Sequence, residues 1–458
     1  MHSIDEALFR HYDRSIPRYT SYPTALEFSD QFPIEAYHER LKAYDVADSL
    51  ALYVHIPFCE RRCSFCACNA IGAPKHNVTP RYLDALTREA ELVLRSTEQA
   101  QLPVLQYHFG GGTPTYCSPK ELSEIHSVLS QKFSILPNAE CAIEIDPTVT
   151  TIEHIDMLSE LGFNRLSMGV QDFSPLVQKA IQRKQKESVT RHLYDYCREK
   201  GFHSINLDLV YGLPNQTWEG FEKTLTTIIS MRPDRVAVYS YAHVPWGRGN
   251  QKQICEELLP TGKAKLSLFM NAMKKFSEAG YFQLGMDHFA LPSDELYVSY
   301  QKGRLHRNFM GYTSLKTDHV VGLGVSSIGQ LAGVYVQNTK KLSNYYKAID
   351  SQEFPISKGY ILSSDDNIRA KVIQDLMCRG RVWFEDFRRD FQIGFSEYFD
   401  KELELIRETV QQDGLIECFE DSLKVTQTGR LFIRNISHIF DVYSKLKNAD
   451  KAPFSRAV

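Results

Sequence analysis

The stretch LYVHIPFCERRCSFCACN (residues 52–69) begins with an apolar run and ends in a loop rich in cysteine. The first five residues, LYVHI, predict a β-strand. Four cysteines then fall within ten positions: Cys59, Cys63, Cys66 and Cys68. So many thiols in one short loop call for a shared ligand or a redox role. The rest of the chain decides what fold presents them and which of these roles fits.

The predicted strand is the first of a series of short apolar runs that alternate with helical patterns to about residue 290. The runs lie at 52–56, 105–109, 141–145, 165–170, 205–212 and 235–241, with a later candidate at 281–286. This alternation predicts parallel βαβ units with right-handed crossovers. Six or seven such units favour a (β/α) barrel, complete or partial, and a doubly wound sheet is the alternative.

The helices between these strands have clear faces and starts. Residues 82–94 place Leu83, Leu86, Ala90 and Leu94 on one side, as a helix packed on a sheet requires. Ser118, Pro119 and Glu121 predict a helix start with a capping box. Thr150 with Glu153 repeats that pattern and predicts a second box.

In either fold, functional groups gather at the carboxyl ends of the strands. The predicted strand ends carry, in order, the cysteine loop, Gly110-Gly111-Gly112-Thr113, Glu144 with Asp146, Gln171-Asp172, Asp208, and Ala242-His243. A single polar residue after a strand means little, because loops are polar. A whole ring of them facing the cysteine loop predicts a functional site.

The barrel region is flanked on both sides. We expect an N-terminal arm over residues 1–49, the barrel over 50–350 and a C-terminal domain over 351–458. Residues 414–436 predict a β-hairpin followed by a helix, as in a winged helix. This stretch lacks the Lys/Arg stripe that phosphate binding needs, so a packing role is favoured over DNA binding.

Composition excludes several classes of protein. The formal net charge of the 458 residues is −3, which argues against non-specific binding to nucleic acid or to a membrane surface. The N-terminus has no apolar core of a signal peptide, and no apolar run approaches the roughly 20 residues of a membrane span. We therefore expect a cytoplasmic protein, and a monomer because no sustained heptad repeat is present.

The other six cysteines, Cys117, Cys141, Cys197, Cys255, Cys378 and Cys418, are scattered, unlike the dense pattern of a secreted disulfide framework. We expect them to be buried small apolar residues.

Three ligands compete for the cysteine loop. A zinc site normally needs two ligand pairs separated by a longer spacer, which is missing here. A redox dithiol would use Cys63 and Cys66 and leave Cys59 and Cys68 unexplained. An iron–sulfur cluster accepts closely spaced thiolates because its ligation points are spread over the inorganic cube.

The spacing Cys59-x3-Cys63-x2-Cys66, in the loop after the first strand of a predicted barrel, resembles the radical S-adenosylmethionine (SAM) superfamily. The resemblance implies that these three cysteines hold a 4Fe–4S cluster whose open iron binds SAM, which is cleaved to a 5'-deoxyadenosyl radical. The run Gly110-Gly111-Gly112 fits this assignment, because a backbone without side chains can approach the cofactor closely. A second glycine run at 322–329 lacks the spacing of a dinucleotide fingerprint.

Further stretches resemble one family of this superfamily, the oxygen-independent coproporphyrinogen III oxidases. They are PRYTSYPTALEF (17–28), YVHIPFC (53–59), FCACN (65–69), HFGGGTPT (108–115), IEIDP (143–147), SMGVQDF (167–173), INLDLVYGLPNQT (205–217), GMDHFA (285–290), LHRNF (305–309) and TGRLFIRNI (428–436). The resemblance implies a partial TIM-like barrel with an N-terminal arm and a mostly helical C-terminal domain. It also implies conversion of two propionates of coproporphyrinogen III to vinyl groups, giving protoporphyrinogen IX in haem biosynthesis.

The family binds two SAM molecules, and its site residues carry over by motif. Around the cluster-bound SAM the resemblance places Tyr53, Gly111, Glu144 and Ile328. Around the second SAM it places Phe65, Gly112, Thr113, Gln171, Arg183, Asp208 and Ala242. Tyr53, His55 and Ile328 are the expected catalytic residues, with His55 as a proton donor or orienting group.

The resemblance leaves some points open. The substrate is a tetracarboxylate, so arginines should meet it, and Arg14 and Arg18 of the arm are candidates. Cys68 matches the family's C-x-C ending without an assigned role. Relatives carry HRNFQGYT where this chain has HRNFMGYT, and the Met310 thioether cannot replace an amide's hydrogen bonds.

Other functions compete with this assignment. One is a haem chaperone of the same superfamily, although such relatives typically lack the long arm and Cys68. Others are a radical SAM enzyme acting on another tetrapyrrole and a structural zinc protein. The oxidase would also need an electron donor protein, such as a flavodoxin-type reductant.

Overall fold

Seven neighbouring parallel strands form the centre of the computed structural model, which describes residues 6–445 and residue 456. The strands are β1 (Leu50–Ile56), β2 (Phe58–Cys59), β3 (Ile71–Gly72), β4 (Leu102–Gly111), β5 (Phe133–Ile145), β6 (Arg165–Gln171), β7 (Ser204–Tyr211), β8 (Arg235–Ser240), β9 (Phe282–Leu284), β10 (His288–Ala290), β11 (His306–Asn308), β12 (Gly311–Thr313), β13 (His319–Leu323), β14 (Ile328–Leu331), β15 (Val334–Asn338), β16 (Ile356–Ile361), β17 (Arg381–Trp383), β18 (Ile416–Cys418) and β19 (Ser422–Val425).

The α-helices are α1 (Glu6–Tyr12), α2 (Ile34–Lys42), α3 (Thr79–Thr97), α4 (Pro119–Lys132), α5 (Ile152–Glu160), α6 (Pro175–Ala180), α7 (Glu187–Glu199), α8 (Trp218–Met231), α9 (Gly262–Glu278), α10 (Glu295–Gln301), α11 (Leu342–Asp350), α12 (Ser364–Arg379), α13 (Phe384–Phe391), α14 (Phe395–Tyr398), α15 (Asp400–Glu408), α16 (Ile433–His438) and α17 (Val442–Lys445). Short 3-10 turns lie at His76–Val78, Pro114–Tyr116, Gly249–Gln253, Glu256–Leu258 and Gly429–Phe432.

The order of the strands distinguishes the two predicted folds. The largest sheet runs β16-β15-β14-β13-β1-β4-β5-β6-β7-β8-β10-β9, so the six predicted strands follow one another in chain order. A doubly wound sheet reverses its order at a switch point, and the six predicted strands show no such reversal. The partial barrel is therefore confirmed, and the doubly wound alternative is wrong.

Two features of the sheet lie outside the predicted repeat. The seventh parallel strand is β13, which pairs with β1 on the side opposite β4. The candidate strand at 281–286 contains β9, but β9 lies at the sheet edge and pairs antiparallel with β10. It therefore ends the sheet and does not continue the parallel series.

One helix start was predicted correctly and one was not. Ser118 caps α4 in a capping box with Glu121, as expected. The box before α5 uses Thr151 and His154 rather than Thr150 and Glu153. The hydroxyl of Thr150 instead donates to the carbonyl of Asp146 at 2.8 Å, so the helix begins one residue later.

The arm and the C-terminal region pack against each other. Tyr12, Ile16, Tyr19 and Tyr22 of the arm lie in one apolar cluster with the residues of α12–α16 and β17–β19. The strand order β17-β19-β18 contains the predicted hairpin, and α16 follows it. The division at 49/50 and 350/351 stays a prediction, and its outermost residues, 1–5, 446–455 and 457–458, lie outside the described part.

The scattered cysteines are not all buried. Cys117, Cys141, Cys197 and Cys378 are buried as expected, whereas Cys418 is partly exposed and Cys255 is exposed. Cys255 departs from the expectation because it lies in the loop after β8 rather than in a core-facing helix or strand. Among the described residues, no helix combines the length and the apolar character needed to cross a bilayer.

Candidate functional site

The cysteine loop lies at the carboxyl end of β1, beside the end of β4. Cys59, Cys63 and Cys66 are partly exposed, Cys68 is exposed, and all four are free thiols. The Cys59 sulfur lies 3.4 Å from the hydroxyl oxygen of Thr113, and the N–H of Cys68 donates to the Cys66 sulfur at 3.4 Å. Polar groups therefore already face two of the three predicted ligand sulfurs.

The thiols differ in acidity. Burial raises the pKa of Cys59 to about 11 and also raises that of Cys63. Hydrogen bonding from Cys68 lowers the pKa of Cys66. A metal centre would have to deprotonate the Cys59 and Cys63 thiols when it binds.

A loop from the far side of the barrel holds the cysteine loop in place. The side-chain amide of Asn250 donates to the carbonyl oxygens of Cys63, Ser64 and Cys66 at 3.0, 3.1 and 2.8 Å. The buried Gln251 donates to the carbonyls of Phe65 and Ala242 at 2.8 and 3.1 Å. These two amides join the end of β8 to the cysteine loop.

The glycines at the end of β4 allow close backbone approach. Gly111 has a φ of +125°, and a Cβ at this position would lie 2.7 Å from the carbonyl oxygen of Ile56. A Cβ at Gly112 would lie 2.6 Å from the carbonyl oxygen of Pro57. The N–H of Gly112 donates to the Ile56 carbonyl at 2.8 Å. Only glycine fits at both positions, so the turn is packed directly under the cysteine loop.

Four predicted residues form one contact chain beside these glycines. The N–H of Gly111 donates to Glu144 Oε2 at 3.1 Å, and Glu144 Oε1 lies 3.5 Å from His108 Nε2. Tyr53 stacks on His108 with ring centroids 5.8 Å apart and contacts His55 Nδ1 through its hydroxyl at 3.0 Å. Burial acts to raise the pKa of Glu144, but His108 and the Gly111 N–H together lower it below its usual value.

His55 links the first strand to the end of the cysteine loop. Its Nε2 lies 3.1 Å from the carbonyl oxygen of Asn69. Because a carbonyl only accepts, Nε2 carries the proton in this contact and Nδ1 is left to accept from Tyr53. Burial lowers the pKa of His55, which favours this neutral form.

Arg183 lies between a carboxylate and a predicted ligand sulfur. Its Nη1 donates to Asp146 Oδ2 at 2.8 Å and lies 3.8 Å from the Cys63 sulfur. Its Nη2 donates to the carbonyl of Gly169 at 2.6 Å, and its side chain is only 10% exposed. Arg183 is therefore almost buried between Asp146 and the cysteine loop.

A cavity of about 160 Å³ extends into the barrel from this site. Its lining includes Glu144, Asp208, Tyr239, His288 and Met310. Asp208 accepts from Asn206 Nδ2 at 2.8 Å and from the Ser167 hydroxyl at 3.0 Å. Burial, together with a smaller effect of the charge of Glu144, raises the pKa of Asp208 to about 6, against these hydrogen bonds.

Ile328 follows the turn between β13 and β14, next to the strand that pairs with β1. It begins β14, and its carbonyl oxygen lies close to Gly322, the residue opposite Tyr53 in the β1–β13 pair. The turn before it is fixed by Glu89 of α3, which is 2% exposed and accepts from the N–H of Gly324 at 2.7 Å. The amide of Asn338 and the hydroxyl of Tyr345 donate to the same carboxylate, both at 2.6 Å.

Other predicted residues lie in different surroundings. Gln171 is buried at the end of β6 with a φ of +68°. Asp172 is a packing residue that accepts from Gln216 Nε2 and Thr224 Oγ1 at 2.7 and 3.0 Å. In the arm, Arg18 pairs with Asp287, whereas Arg14 is exposed and donates to the carbonyl of His11.

Sequence reasoning missed Glu89, Asn250 and Gln251. Glu89 did carry a signal, because it lies three positions after Leu86 on the apolar face of α3, where a charged residue needs partners. Asn250 and Gln251 carried none. They lie more than 180 positions from the carbonyls of the cysteine loop that they bind, in a polar loop.

The donor set fits a 4Fe–4S cluster better than it fits a lone structural metal. Three thiols of one loop, with N–H, O–H and guanidinium groups directed at their sulfurs, are the features that hold and tune such clusters.

Comparisons with known proteins agree with this geometry. Residues 53–228 match the model of the radical SAM superfamily, and residues 362–432 match that of the HemN C-terminal domain. The chain is 42% identical over 454 residues to an oxygen-independent coproporphyrinogen III oxidase of Escherichia coli K12, covering 99% of this chain and 98% of the relative. It is 41% identical over 457 residues to that of Pseudomonas aeruginosa, with the same coverage.

A solved structure is similar over almost the whole chain. The coproporphyrinogen III oxidase HemN of Escherichia coli, described as a radical SAM enzyme, superposes with a TM-score of 0.90 at 40% identity. The match covers 96% of this chain and 99% of that one. Both the barrel and its flanking regions are therefore shared.

Proposed function

The chain belongs to the family of oxygen-independent coproporphyrinogen III oxidases, radical SAM oxidoreductases of haem biosynthesis, and we propose that coproporphyrinogen III is its own substrate. The reaction converts two propionate side chains to vinyl groups with release of two CO₂, giving protoporphyrinogen IX. For each propionate, one hydrogen atom would pass to the 5'-deoxyadenosyl radical formed from SAM and one electron to an electron acceptor. The observation that carries this proposal is the full-length similarity, which includes the arm and the C-terminal region as well as the barrel.

Cys59, Cys63 and Cys66 are the residues that would hold the 4Fe–4S cluster. When bound, the cluster supplies the electron that cleaves SAM to the radical that removes a hydrogen from the propionate. Asn250 holds the Cys63–Cys66 part of the loop by binding its carbonyls, and Thr113 and Arg183 direct polar hydrogens at the sulfurs of Cys59 and Cys63.

Tyr53, Gly111, Glu144 and Ile328 would surround the cluster-bound SAM. Glu144 is suited to accept from the ammonium group or the ribose hydroxyls, because its lowered pKa keeps it ionised. The Gly111 N–H and His108 hold this carboxylate in position. His55 acts as an orienting group for Tyr53, since both of its ring nitrogens contact protein groups.

A second SAM would lie on the side of the site that carries Phe65, Gly112, Thr113, Gln171, Arg183, Asp208 and Ala242. Three contacts support this grouping. Gln251 donates to the carbonyls of both Phe65 and Ala242. Arg183 donates to the carbonyl of Gly169, two residues before Gln171. The hydroxyl of Thr113, the residue after Gly112, lies beside the Cys59 sulfur. Arg183 would exchange its contact with Asp146 for the carboxylate of the incoming cofactor.

The remaining assignments rest on the sequence and the family. We propose a monomeric cytoplasmic enzyme that takes electrons from a flavodoxin-type donor protein. The absence of a sustained heptad pattern in the sequence supports the monomer.

The test is an anaerobic assay of cluster-reconstituted protein with reductant, SAM and coproporphyrinogen III, with tetrapyrroles separated by chromatography. We expect divinyl product from the wild type and from Cys255→Ala, which removes an exposed thiol outside the cysteine loop. Cys63→Ala should give none. Deoxyadenosine without vinyl product would retain the radical chemistry and refute the proposed substrate.

A further inference from the structure

Basic side chains without acidic partners gather around the cysteine loop. Three segments meet there, and together we call them the basic face: residues 61–68 of the cysteine loop, residues 176–186 of α6 and the turn after it, and residues 246–253 of the loop after β8. Seven of their side chains are cations that form no ion pair within the described part of the chain: Arg61, Arg62, Lys179, Lys184, Lys186, Arg248 and Lys252. Since the formal net charge of the whole chain is −3, this excess of positive charge is local.

Hydrogen bonds join the three segments into one surface. The amide of Asn250 donates to the carbonyl of Ser64 at 3.1 Å, which links the loop after β8 to the cysteine loop. The N–H of Ser64 donates to the carbonyl of Ile181 at 3.0 Å, which links the cysteine loop to the end of α6. Gln182 Nε2 donates to Gln253 Oε1 at 2.6 Å, which links the turn after α6 to the loop after β8. Each segment therefore contacts both of the others.

Acids do not balance these charges. The three segments contain no Asp or Glu. The acids within three positions of them are engaged by residues outside the seven cations: Glu60 by His76, Glu187 by Arg191 and Glu256 by His243. Glu257, one position further, forms no ion pair with any residue that the structure describes. One such acid leaves the basic face with a positive field.

The basic face also carries the two most exposed large apolar side chains among the described residues. Trp246 is 71% exposed and Leu176 is 67% exposed, whereas the next in order, Leu26 and Ile361, are 49% exposed. A tryptophan in water offers a large apolar surface that a partner can bury, and Trp and Arg are enriched among the residues that dominate protein–protein contacts. Exposed charges around apolar anchors are typical of a surface on which another protein docks.

The position of the basic face favours a protein partner over a small ligand. Small ligands bind in concave sites, and none of the seven cations lines the 160 Å³ cavity of the barrel. The face instead surrounds Cys59, Cys63 and Cys66, which are partly exposed. A protein docked on it would come close to the group that these cysteines are proposed to hold.

We propose that the basic face is the docking surface for an acidic one-electron carrier protein of the flavodoxin type. This inference rests on the proposed function and adds to it the surface through which the electron enters. The cations steer an acidic carrier towards the cysteine loop, and Trp246 and Leu176 supply apolar contact. The docked carrier gives up one electron as its anionic flavin hydroquinone becomes the neutral semiquinone. That electron reduces a 4Fe–4S cluster from the 2+ to the 1+ state, and no proton is transferred.

The experiment compares three cluster-loaded variants with the wild type: the double variant Lys184→Glu with Lys252→Glu, Trp246→Ala, and the control Lys302→Glu. Lys302 is also an exposed cation without an ion pair in the described residues. It follows α10, which begins beside Arg235, the first residue of β8, and so lies away from the cysteine loop.

Two properties are measured. Calorimetry gives the affinity for oxidised flavodoxin at about 20 mM and about 300 mM salt. Stopped-flow absorbance gives the rate at which the cluster is reduced by flavodoxin hydroquinone or by photoreduced deazaflavin. Deazaflavin is a small reductant that needs no docking surface.

We expect the double variant to bind flavodoxin about tenfold more weakly at low salt, because each change replaces an attraction by a repulsion. The loss should shrink to about twofold at high salt, since salt screens exposed charges. Trp246→Ala should bind about fivefold more weakly at both salt concentrations, because an apolar contact is not screened. Reduction by flavodoxin should slow in parallel. Reduction by deazaflavin, and both properties of Lys302→Glu, should stay within about twofold of the wild type.

Flavodoxin binding by the double variant within about twofold of the wild type at low salt would overturn the docking surface. Equal slowing with deazaflavin would do the same, because the effect would then lie at the cluster. Binding of the wild type to phosphatidylglycerol vesicles but not to flavodoxin would make the face a membrane contact instead. A higher KM for coproporphyrinogen III in the double variant, with deazaflavin as reductant and unchanged flavodoxin affinity, would assign the face to the substrate.

The proposed function can fail separately. If flavodoxin reduces the wild-type cluster but no vinyl product forms, the proposed substrate is refuted while the comparison of variants still decides the docking surface. Should the double variant not fold, Lys184→Gln with Lys252→Gln removes the same two charges, and unchanged binding at low salt would overturn the proposal equally.

Discussion

The side-chain amide of Asn250 lies 2.8 Å from the carbonyl oxygen of Cys66, although 184 positions separate the two residues in the chain. The same nitrogen reaches the carbonyls of Cys63 and Ser64. One side chain from the loop after β8 therefore closes the cysteine loop from the opposite side of the barrel.

This contact predicts that the Asn250→Ala variant loses its iron–sulfur cluster faster than the wild type. Losing about 1 kcal/mol of net hydrogen bonding changes a local opening equilibrium about fivefold, and three contacts are removed together. We expect the reconstituted cluster of Asn250→Ala to be lost several times faster to a chelator, followed by its visible absorbance. Asn367→Ala, which alters an exposed asparagine of α12, is the control. Equal decay rates would show that Asn250 does not hold the loop.

The charges of Arg183 and Asp146 should shift the reduction potential of the cluster in opposite directions. Arg183 places a positive charge 3.8 Å from the Cys63 sulfur, and Asp146 places a negative charge beside that guanidinium. Removing a nearby cation favours the oxidised cluster, and removing a nearby anion favours the reduced one.

We therefore expect Arg183→Gln to lower the reduction potential of the cluster and Asp146→Asn to raise it. Each shift should be several tens of millivolts, given that about 59 mV is a tenfold change for one electron. Redox titration followed by electron paramagnetic resonance measures both. Shifts of the same sign in the two variants would contradict the electrostatic explanation.

The raised pKa of Glu89 predicts that the stability of the folded protein depends on pH. Burial raises its pKa from 4.5 to about 7, against the hydrogen bonds from Tyr345, Gly324 and Asn338. The folded protein therefore holds this proton more tightly than the unfolded chain does. Its favourable contribution is complete below about pH 4.5 and is lost as the pH rises through about 7.

The matched variant for this effect is Glu89→Gln, which is neutral at every pH. Between about pH 5 and about pH 8, the free energy of unfolding of the wild type should fall relative to Glu89→Gln by up to about 3 kcal/mol. Urea unfolding of the cluster-free proteins gives this difference. A difference independent of pH would mean that Glu89 titrates normally in the folded chain.

The position of Met310 predicts that glutamine there would improve the binding of SAM. Met310 lines the 160 Å³ cavity together with Glu144 and Asp208, at a position where the family resemblance implies glutamine. A net hydrogen bond of about 1 kcal/mol corresponds to about a fivefold change in affinity, so we expect Met310→Gln to lower KM for SAM several-fold. Met310→Leu keeps the apolar volume and should behave as the wild type. An unchanged or higher KM in Met310→Gln would show that the thioether is already accommodated.

The barrel was predictable because its signals are local. Each strand is a short apolar run and each helix shows its own apolar face, and a strand–helix repeat allows few connections. Strand β13 was missed because its residues, His319–Leu323, run into a glycine-rich turn that resembles a loop. The capping box at Thr151 was misplaced by one residue because Thr150 and Thr151 offer the same hydroxyl, and only the contact of Thr150 with Asp146 separates them.

By itself, the sequence determined the series of parallel strands, the three cysteines of the predicted cluster and the family to which their spacing belongs. These features are periodicities or spacings within a few residues, which the chain carries wherever it folds. Only the tertiary structure decided that Asn250 closes the cysteine loop and that Arg183 faces Cys63. Such contacts join residues from different strand ends and loops, and a hydrogen bond depends on the distance in space, which no spacing along the chain records.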